Sequence, residues 1–181
     1  NENLESRYYY VPGLIGVMLL LVSIVVASIA IVREKEMGTI EQVMVTPIRK
    51  IEFVLGKTVP YLITGYIVMT FMFIIALIIF GIHIKGSVLL LYLLSGVYLA
   101  GNLGIALLIS VSAHTQQQAL LTAFFILMPA VLLSGFIFPI HNMPVAVQYA
   151  SYLNPMRWYM DILRGIIMKG VGAHALMKAI L

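Results

Sequence analysis

The sequence contains no cysteine and little charge, and each shortage excludes whole classes of protein. Without cysteine the chain holds no disulfide framework and no thiolate metal site. Only 10% of its 181 residues are charged and 62% are hydrophobic, whereas soluble domains carry about 25% charged residues. A small soluble domain has no core large enough for this apolar excess. We therefore expect lipid to be the solvent for most of the chain.

The sequence also lacks the motifs of several chemistries. It has no G-x-x-x-x-G-K-[ST] phosphate loop, and no nucleophile is paired with a base in a catalytic pattern. The four histidines are scattered and join no carboxylate cluster, which argues against a metal site. Basic and aromatic residues are not interleaved as they are in single-strand nucleic-acid binders. We predict no catalytic residue, no metal site and no nucleic-acid partner. The net charge of +4 is assigned to loops that face lipid or a protein.

Long hydrophobic segments are abundant and define the predicted fold class. Four of them carry no Asp, Glu, Lys or Arg: residues 10–32, 58–82, 87–112 and 117–140. Each exceeds the roughly 20 residues that a spanning helix needs. The sequence therefore predicts an all-α, polytopic membrane helix bundle with about four spans.

Residues 139–174 are amphipathic and punctuated by proline, and they are too interrupted to span a membrane. We predict one or two short helices within 141–170, either interfacial or re-entrant. Residues 175–181 resemble the opening of a further span. We expect the chain to be part of a longer protein.

A charged stretch, REKEMGTIEQVMVTP, interrupts the apolar sequence at residues 33–47. Residues 34–45 place apolar side chains at helical spacing, which predicts a short amphipathic helix that ends before Pro47. Gly38 indicates either close backbone approach or a break before Thr39. Two interpretations remain open: a helix lying on the inner leaflet, or a docking element for a partner protein. The basic residues of 33–57 favour the cytoplasmic side.

Five strings, in order along the chain, carry a family resemblance. REKEMGTIEQVMVTPI resembles the cytosolic loop of ABC-2 type permeases, the membrane subunits of one class of ATP-driven exporters. RYYYVPGLIGVML resembles the entry to their second span, and SAHTQQQALL the loop into their fifth. LLSGFIFPIHNMP and YLNPMRWYMDILRGIIMKG resemble the exit of the fifth span and the outer hairpin that follows. The subgroup most resembled is the bacterial multidrug-efflux-like permeases. His141 departs from the pattern, because an acidic residue is expected there.

The resemblance implies a first span and an outer domain before Asn1, and a sixth span after Leu181. It also implies a coupling helix that docks on a separate ATPase subunit, with ATP and Mg²⁺ held by that partner and no cofactor on this chain. The implied coupling residues are Glu34, Glu36, Met37, Gly38, Thr39, Ile40, Glu41, Thr46 and Pro47. A translocation path or outer gate at the interface with a second, identical or sibling, permease subunit is implied at Ser23, Ser28, Phe124, Met128, Ser134, Phe136 and Phe138.

Taken together, these observations predict a multi-pass permease of the inner membrane that exports hydrophobic or amphipathic compounds such as drugs. The runs contain no charge to bind a strongly ionic cargo. The chain itself is not expected to be an enzyme. The alternatives are a permease for polysaccharides or lipid-linked glycans, and a membrane scaffold that transports nothing.

Overall fold

A computed structural model describes residues 2–38, 49–82 and 85–170, and within these ranges every regular element is helical. The first long helix has three contiguous parts: α1 (Glu2–Leu20), a π-helical segment (Leu21–Val26) and α2 (Ala27–Glu36). The next three helices are α3 (Lys50–Phe80), α4 (Val88–Ser112) and α5 (Gln116–Leu132). A 3₁₀ turn (Ile140–Asn142), α6 (Val145–Ser151), α7 (Pro155–Arg164) and a second π-helical segment (Gly165–Lys169) complete the described chain.

Three of the described helices are long and apolar enough to cross a membrane: Tyr10–Glu36, Ile51–Phe80 and Val88–Ser112. Helix α5 is apolar but shorter, with 17 residues. The prediction of an all-α membrane bundle is confirmed.

The helices and the predicted apolar runs have different bounds. The first helix continues through the charged residues to Glu36, and α3 begins at Lys50, before the second run. Helix α5 ends at Leu132, although its run continues to residue 140. Pro129 removes a backbone donor near the end of α5, and the chain then turns at Gly135, whose φ is 76°. Residues 39–45 of the predicted coupling helix and residues 175–181 lie outside the described residues.

Helix α4 lies at the centre of the bundle and contacts α1, α2, α3 and α7, while α1 packs on α7 and α2 on α5. The core contains Ile15, Leu19 and Ile24 of the first helix, Leu91 and Leu99 of α4, and Met160 and Leu163 of α7. Each of these side chains is at most 1% exposed. The amphipathic helix α7 is therefore part of the core of the bundle.

Helices α6 and α7 form a hairpin that enters the bundle. Its tip, Asn154–Pro155, lines the same cavity as Asn102 in the middle of α4. From the tip, α7 runs antiparallel to α4: Tyr159 meets Ser95, and the backbone N–H of Lys85 donates to the carbonyl of Ile167 at 3.4 Å. We call α6 and α7 together the hairpin, and we call the bundle end near Lys85 the hairpin end.

Candidate functional site

Three consecutive charged residues at the end of α2 each contact a different helix. We call Glu34, Lys35 and Glu36 the charged hub, and we call this end of the bundle the hub end. Glu34 forms an ion pair with Lys57 of α3. The Nζ of Lys35 donates to the carbonyl oxygens of Val111 and Ala113, at 3.3 and 3.0 Å, where α4 ends. These contacts link the last turn of α2 to α3 and to α4.

The third hub residue, Glu36, reaches the start of α5. Its carboxylate accepts from the backbone N–H of Gln116 at 2.9 Å and from the Gln116 side-chain amide at 2.5 Å. Thr115 caps the same helix by accepting from the N–H of Gln118 at 3.2 Å. All three neighbouring helices are thus bound by one short stretch of sequence.

The charges of the hub match the electrostatics of the helix ends that they contact. Lys35 places an ammonium at the C-terminal carbonyls of α4, and Glu36 places a carboxylate at the N-terminus of α5. Both arrangements are favourable, because a helix carries partial positive charge at its start and partial negative charge at its end. The order Lys35–Glu36 therefore fits the order in which α4 ends and α5 begins.

Gly38 ends the helical path just after the hub. Its φ is 72°, a left-handed conformation that favours glycine, and no atom of the described residues lies within 4 Å of the position of a Cβ there. This supports a break before Thr39 over close backbone approach. The prediction of one helix from 34 to 45 is wrong at its start, because Glu34 and Glu36 belong to the first long helix, which ends at Glu36, and Met37 follows in a turn. Thr39, Ile40, Glu41, Thr46 and Pro47 lie outside the described residues.

The residues predicted for a translocation path fall into two groups, of which the serines are buried. Ser23 and Ser28 are 0% exposed and Ser134 is 2% exposed. Each hydroxyl donates to a carbonyl of its own segment: Ser23 to Leu19 at 2.5 Å, Ser28 to Val25 at 3.1 Å and Ser134 to Val131 at 2.6 Å. In this arrangement the serines satisfy backbone acceptors around the π-helical segment and in the last turn of α5.

The second group is largely exposed. Phe124 and Met128 lie on one face of α5, 42% and 59% exposed, together with Phe125. Phe138 is also exposed, but Phe136 turns inward, where its ring contacts Gly13 and the edge of the Tyr10 ring, with centroids 6.2 Å apart. The structure therefore does not bring Phe136 and Phe138 together, and Phe124 and Met128 face away from the buried serines.

The structure also reveals a charged cavity that sequence reasoning did not predict. Arg157, Asp161 and Arg164 recur along one face of α7, while Met156, Tyr159, Met160 and Leu163 form its buried face. The three charged residues line a cavity of about 470 Å³. Partial desolvation raises the pKa of Asp161, and the charges of Arg164 and Arg157 oppose this change. The i, i+4, i+7 spacing was the available signal, but it acquires meaning only once α7 lies inside the bundle.

The described residues form no group of three or more His, Asp or Glu side chains that could hold a metal ion. The hub contacts position helices, and they offer no nucleophile aligned with a base. The arrangement is suited to mechanical connection and to binding.

The comparisons with known proteins agree with this architecture. The chain is 37% identical to "Probable multidrug ABC transporter permease YbhR" of Escherichia coli K12 over 93% of its own length and 46% of that protein. It is 32% identical to "Probable multidrug ABC transporter permease YbhS" of the same organism, over 91% of its own length and 44% of that protein. A more distant relative, "ABC transporter G family member 20" of Dictyostelium discoideum, is 22% identical over 96% of the chain and 24% of that protein.

The chain spans about half the length of the bacterial relatives it matches. No solved structure matches it. The family model described as "ABC-2 type transporter" matches residues 2–168, which include all the long helices and the hairpin. This membrane-embedded chain therefore belongs to the ABC-2 type transporter family.

Proposed function

We propose that this chain is the membrane part of a permease subunit in an ATP-driven exporter. A separate ATPase subunit would bind ATP and Mg²⁺, and a second permease subunit would complete the path. The cargo would be hydrophobic or amphipathic compounds such as drugs, in keeping with the names of the bacterial relatives. The chain would lie in the inner membrane as a multi-pass protein, with residues 33–57 in the cytoplasm.

The single observation that carries the proposal is the charged hub. A segment that docks on an ATPase must pass its displacement to several helices, and otherwise it moves only its own loop. Glu34, Lys35 and Glu36 contact α3, α4 and α5, and the segment 39–48 follows directly in the sequence. Motion of that segment would therefore act on the end of α2 and, through the hub, on three further helices.

The density of basic residues in 33–57 supports the proposed orientation, whereas those assigned to the other side, Lys85, Arg157, Arg164 and Lys169, are dispersed along the sequence. Arg33, Lys35, Arg49 and Lys57 all belong to the chain around the hub end. Short loops rich in Lys and Arg favour the cytoplasmic side of the membrane. The hairpin end would then face outward.

The test uses the full-length parent protein co-expressed with its ATPase and reconstituted in proteoliposomes. Glu41→Arg should abolish co-purification of the ATPase, because it reverses a charge in the segment proposed to dock. Gln116→Ala should leave co-purification intact and lower transport per ATP hydrolysed several-fold, because it removes one of the two bonds that Glu36 makes to α5. The matched control is Gln117→Ala, since Gln117 is exposed and adjacent.

Two results would contradict the proposal. One is that no ATPase co-purifies with the wild-type protein. The other is that Glu41→Arg leaves both ATPase binding and transport unchanged. If only the Gln116→Ala effect is absent, the exporter assignment stands, and the hub is not the route of transmission.

A further inference from the structure

A cavity of about 330 Å³ lies between α4 and α7. We call it the aromatic cavity, because Tyr98 of α4 and both Trp158 and Tyr159 of α7 line it. Its volume is at the lower end of the range of small-molecule pockets, which is about 300–1,000 Å³. None of the described residues that line it is charged, so an ionic ligand has no counter-charge there. The aromatic cavity is suited to a small, uncharged molecule.

The aromatic cavity has an open side and a closed side. Val97 is 72% exposed, and Gly101 and Pro155 are also exposed. By contrast, Tyr98 is 7% exposed and Asn102 is 1% exposed. A ligand can therefore enter past Val97 and Gly101 without unfolding a helix, and it then meets the polar groups of Tyr98 and Asn102.

The aromatic side chains that α7 contributes have their polar atoms bonded within the hairpin and the core. The indole N–H of Trp158 donates to the carbonyl of Tyr152 at 3.0 Å, and the hydroxyl of Tyr159 shares a 2.8 Å hydrogen bond with Ser95. The ring of Tyr98 stacks on that of Tyr159, with centroids 4.0 Å apart and an angle of 5° between the planes. These rings are fixed in place, and they offer a ligand apolar and aromatic surface.

Two polar groups of α4 are buried without such partners. The hydroxyl of Tyr98 and the Nδ2 of Asn102 form no hydrogen bond of normal geometry within residues 2–38, 49–82 and 85–170. The Asn102 amide interacts with the Tyr98 hydroxyl, one helical turn away, but such a contact uses only one of its two N–H groups. Buried polar groups in native proteins are nearly always hydrogen-bonded. The unused N–H therefore points to a partner that binds in the cavity.

We propose that the aromatic cavity binds a neutral aromatic compound that carries a hydrogen-bond acceptor, such as a ketone oxygen. An amide N–H can only donate, so the ligand must accept, and a carbonyl oxygen has a second lone pair for the hydroxyl of Tyr98. The rings of the ligand would pack against Tyr98 and Trp158. The inference deepens the proposed function, on which it rests for the role of this ligand as cargo, because it gives a hydrophobic cargo a binding position and one polar requirement.

The test compares two probes that differ in one group. Benzophenone has two phenyl rings joined by a ketone, and diphenylmethane has the same rings joined by a methylene. The full-length parent protein is purified into nanodiscs without ATP or an ATPase, and the dissociation constant of each tritiated probe is measured. We define the selectivity as the dissociation constant of diphenylmethane divided by that of benzophenone. Comparing the selectivity of each variant with that of the wild type cancels the partition of the probes into lipid.

Variants of the two unpartnered groups test the polar contact. Asn102→Leu should lower the selectivity about three- to tenfold, the usual effect of losing one neutral hydrogen bond. Tyr98→Phe keeps the ring and should lower the selectivity in the same direction. Tyr92→Phe is the matched control, because Tyr92 is also on α4 but does not line the cavity, and its hydroxyl is bonded to that of Thr70 at 2.7 Å. It should leave the selectivity unchanged.

Gly101→Leu tests the position of the site by filling the entrance. No atom of the described residues lies within 4 Å of a Cβ position at Gly101 or Gly104, so both sites have room for a side chain. Of the two, only Gly101 lines the aromatic cavity. Gly101→Leu should weaken the binding of both probes about tenfold, because the new side chain and the ligand compete for the same space. Gly104→Leu, the matched control, should weaken neither.

The melting temperature of each variant without ligand shows whether it folds. Unchanged affinity for benzophenone in folded Gly101→Leu would overturn the proposal. Unchanged selectivity in folded Asn102→Leu and Tyr98→Phe would also overturn it, in favour of a purely apolar occupant such as a lipid chain. Failure of the proposed function is a separate result: if no ATPase co-purifies but the selectivity changes as expected, the site stands and its ligand is not the cargo of an exporter.

Discussion

The charged hub and the hairpin are held by different kinds of polar contact. At the hub end, charged side chains meet near the surface: Glu36 is exposed, and the side chains of Lys57 and Glu34 keep 24% and 32% of their surface. Along the hairpin, neutral groups bond inside the core. Asn154 is 7% exposed, and Tyr159, which is 2% exposed, shares a 2.8 Å hydrogen bond with Ser95.

This difference has an energetic meaning. Exposed ion pairs contribute about 0–1 kcal/mol each, because water replaces them readily. A buried polar group left without its partner costs about 1–3 kcal/mol. The hairpin therefore moves together with the helices around it, whereas the hub can exchange partners at low cost. Rearrangement is cheapest at the hub end.

Asn154→Ala should have the largest effect on stability. The side chain of Asn154 caps α7 by accepting from the N–H of Met156 at 3.1 Å, and it also donates to the carbonyl of Ala130. Losing the cap and leaving this carbonyl unpaired should lower the free energy of unfolding by about 2–4 kcal/mol. The measurement is unfolding of the full-length protein in mixed micelles, with the exposed Asn142→Ala as control. A loss no larger than that of the control would contradict the view that the tip anchors the hairpin.

Gly86→Ala should have the next largest effect. A Cβ at Gly86 would lie 2.8 Å from the carbonyl oxygen of Ile166, a backbone atom that can move away only if the π-helical segment Gly165–Lys169 shifts. We expect a loss of about 1–3 kcal/mol, as for other overpacked sites. Gly101→Ala is the control, because nothing lies within 4 Å of its Cβ position and alanine favours helix. If both variants melt at the same temperature, the π-helical segment Gly165–Lys169 does not pack tightly against this loop.

Tyr159→Phe should lower the free energy of unfolding less than the two variants above, and it tests a buried hydrogen bond of the hairpin. It removes the hydrogen bond to Ser95 but keeps the ring, which stacks on Tyr98 with centroids 4.0 Å apart. The hydroxyl of Ser95 also donates to the carbonyl of Leu91, so Ser95 keeps one partner. The expected loss is about 1 kcal/mol. The control is Ser112→Ala, an exposed site on α4, the helix that contains Ser95. It should lower the free energy of unfolding by less than Tyr159→Phe does, and a larger loss for Ser112→Ala would refute this interpretation.

The ion pair between Glu34 and Lys57 should give the smallest change. A double-mutant cycle with Glu34→Gln and Lys57→Gln should yield a coupling energy of about 0.5–1 kcal/mol. The same cycle in 1 M salt should yield less, because ions screen exposed charges. A coupling energy above about 2 kcal/mol that salt leaves unchanged would mean that the hub is as rigid as the hairpin.

Much of the fold could be predicted from the sequence because lipid imposes a simple rule. Apolar runs such as 87–112 must be helical, since a bilayer satisfies no backbone groups, and α4 occupies almost the same residues. The charged stretch 33–47 also differs clearly from the apolar runs on either side of it. Its contacts were not predicted, because Lys57, Val111 and Gln116 are distant from it in the sequence.

The hairpin shows where sequence patterns stop being informative. The charges of residues 157–164 argue against a spanning helix, and α7 does not span. A hairpin with one apolar face can still enter the bundle, because neighbouring helices cover the apolar face and the charged face lines a cavity. The pattern of α7 is equally suited to the interface and to the interior. Only the burial of Met156, Tyr159 and Met160 decides between them.

The π-helical segment Leu21–Val26 determines how the side chains of α2 are rotated about the helix axis relative to those of α1. A π-helical turn accommodates one more residue than the α-helical turn that it replaces. One residue corresponds to about 100° of rotation around a helix axis. The faces of α1 and α2 are therefore offset by that angle, and a helical wheel drawn through the whole segment misassigns one half of it. The same offset determines which neighbours Glu34, Lys35 and Glu36 face, so a one-residue deletion within this segment would point the hub away from them.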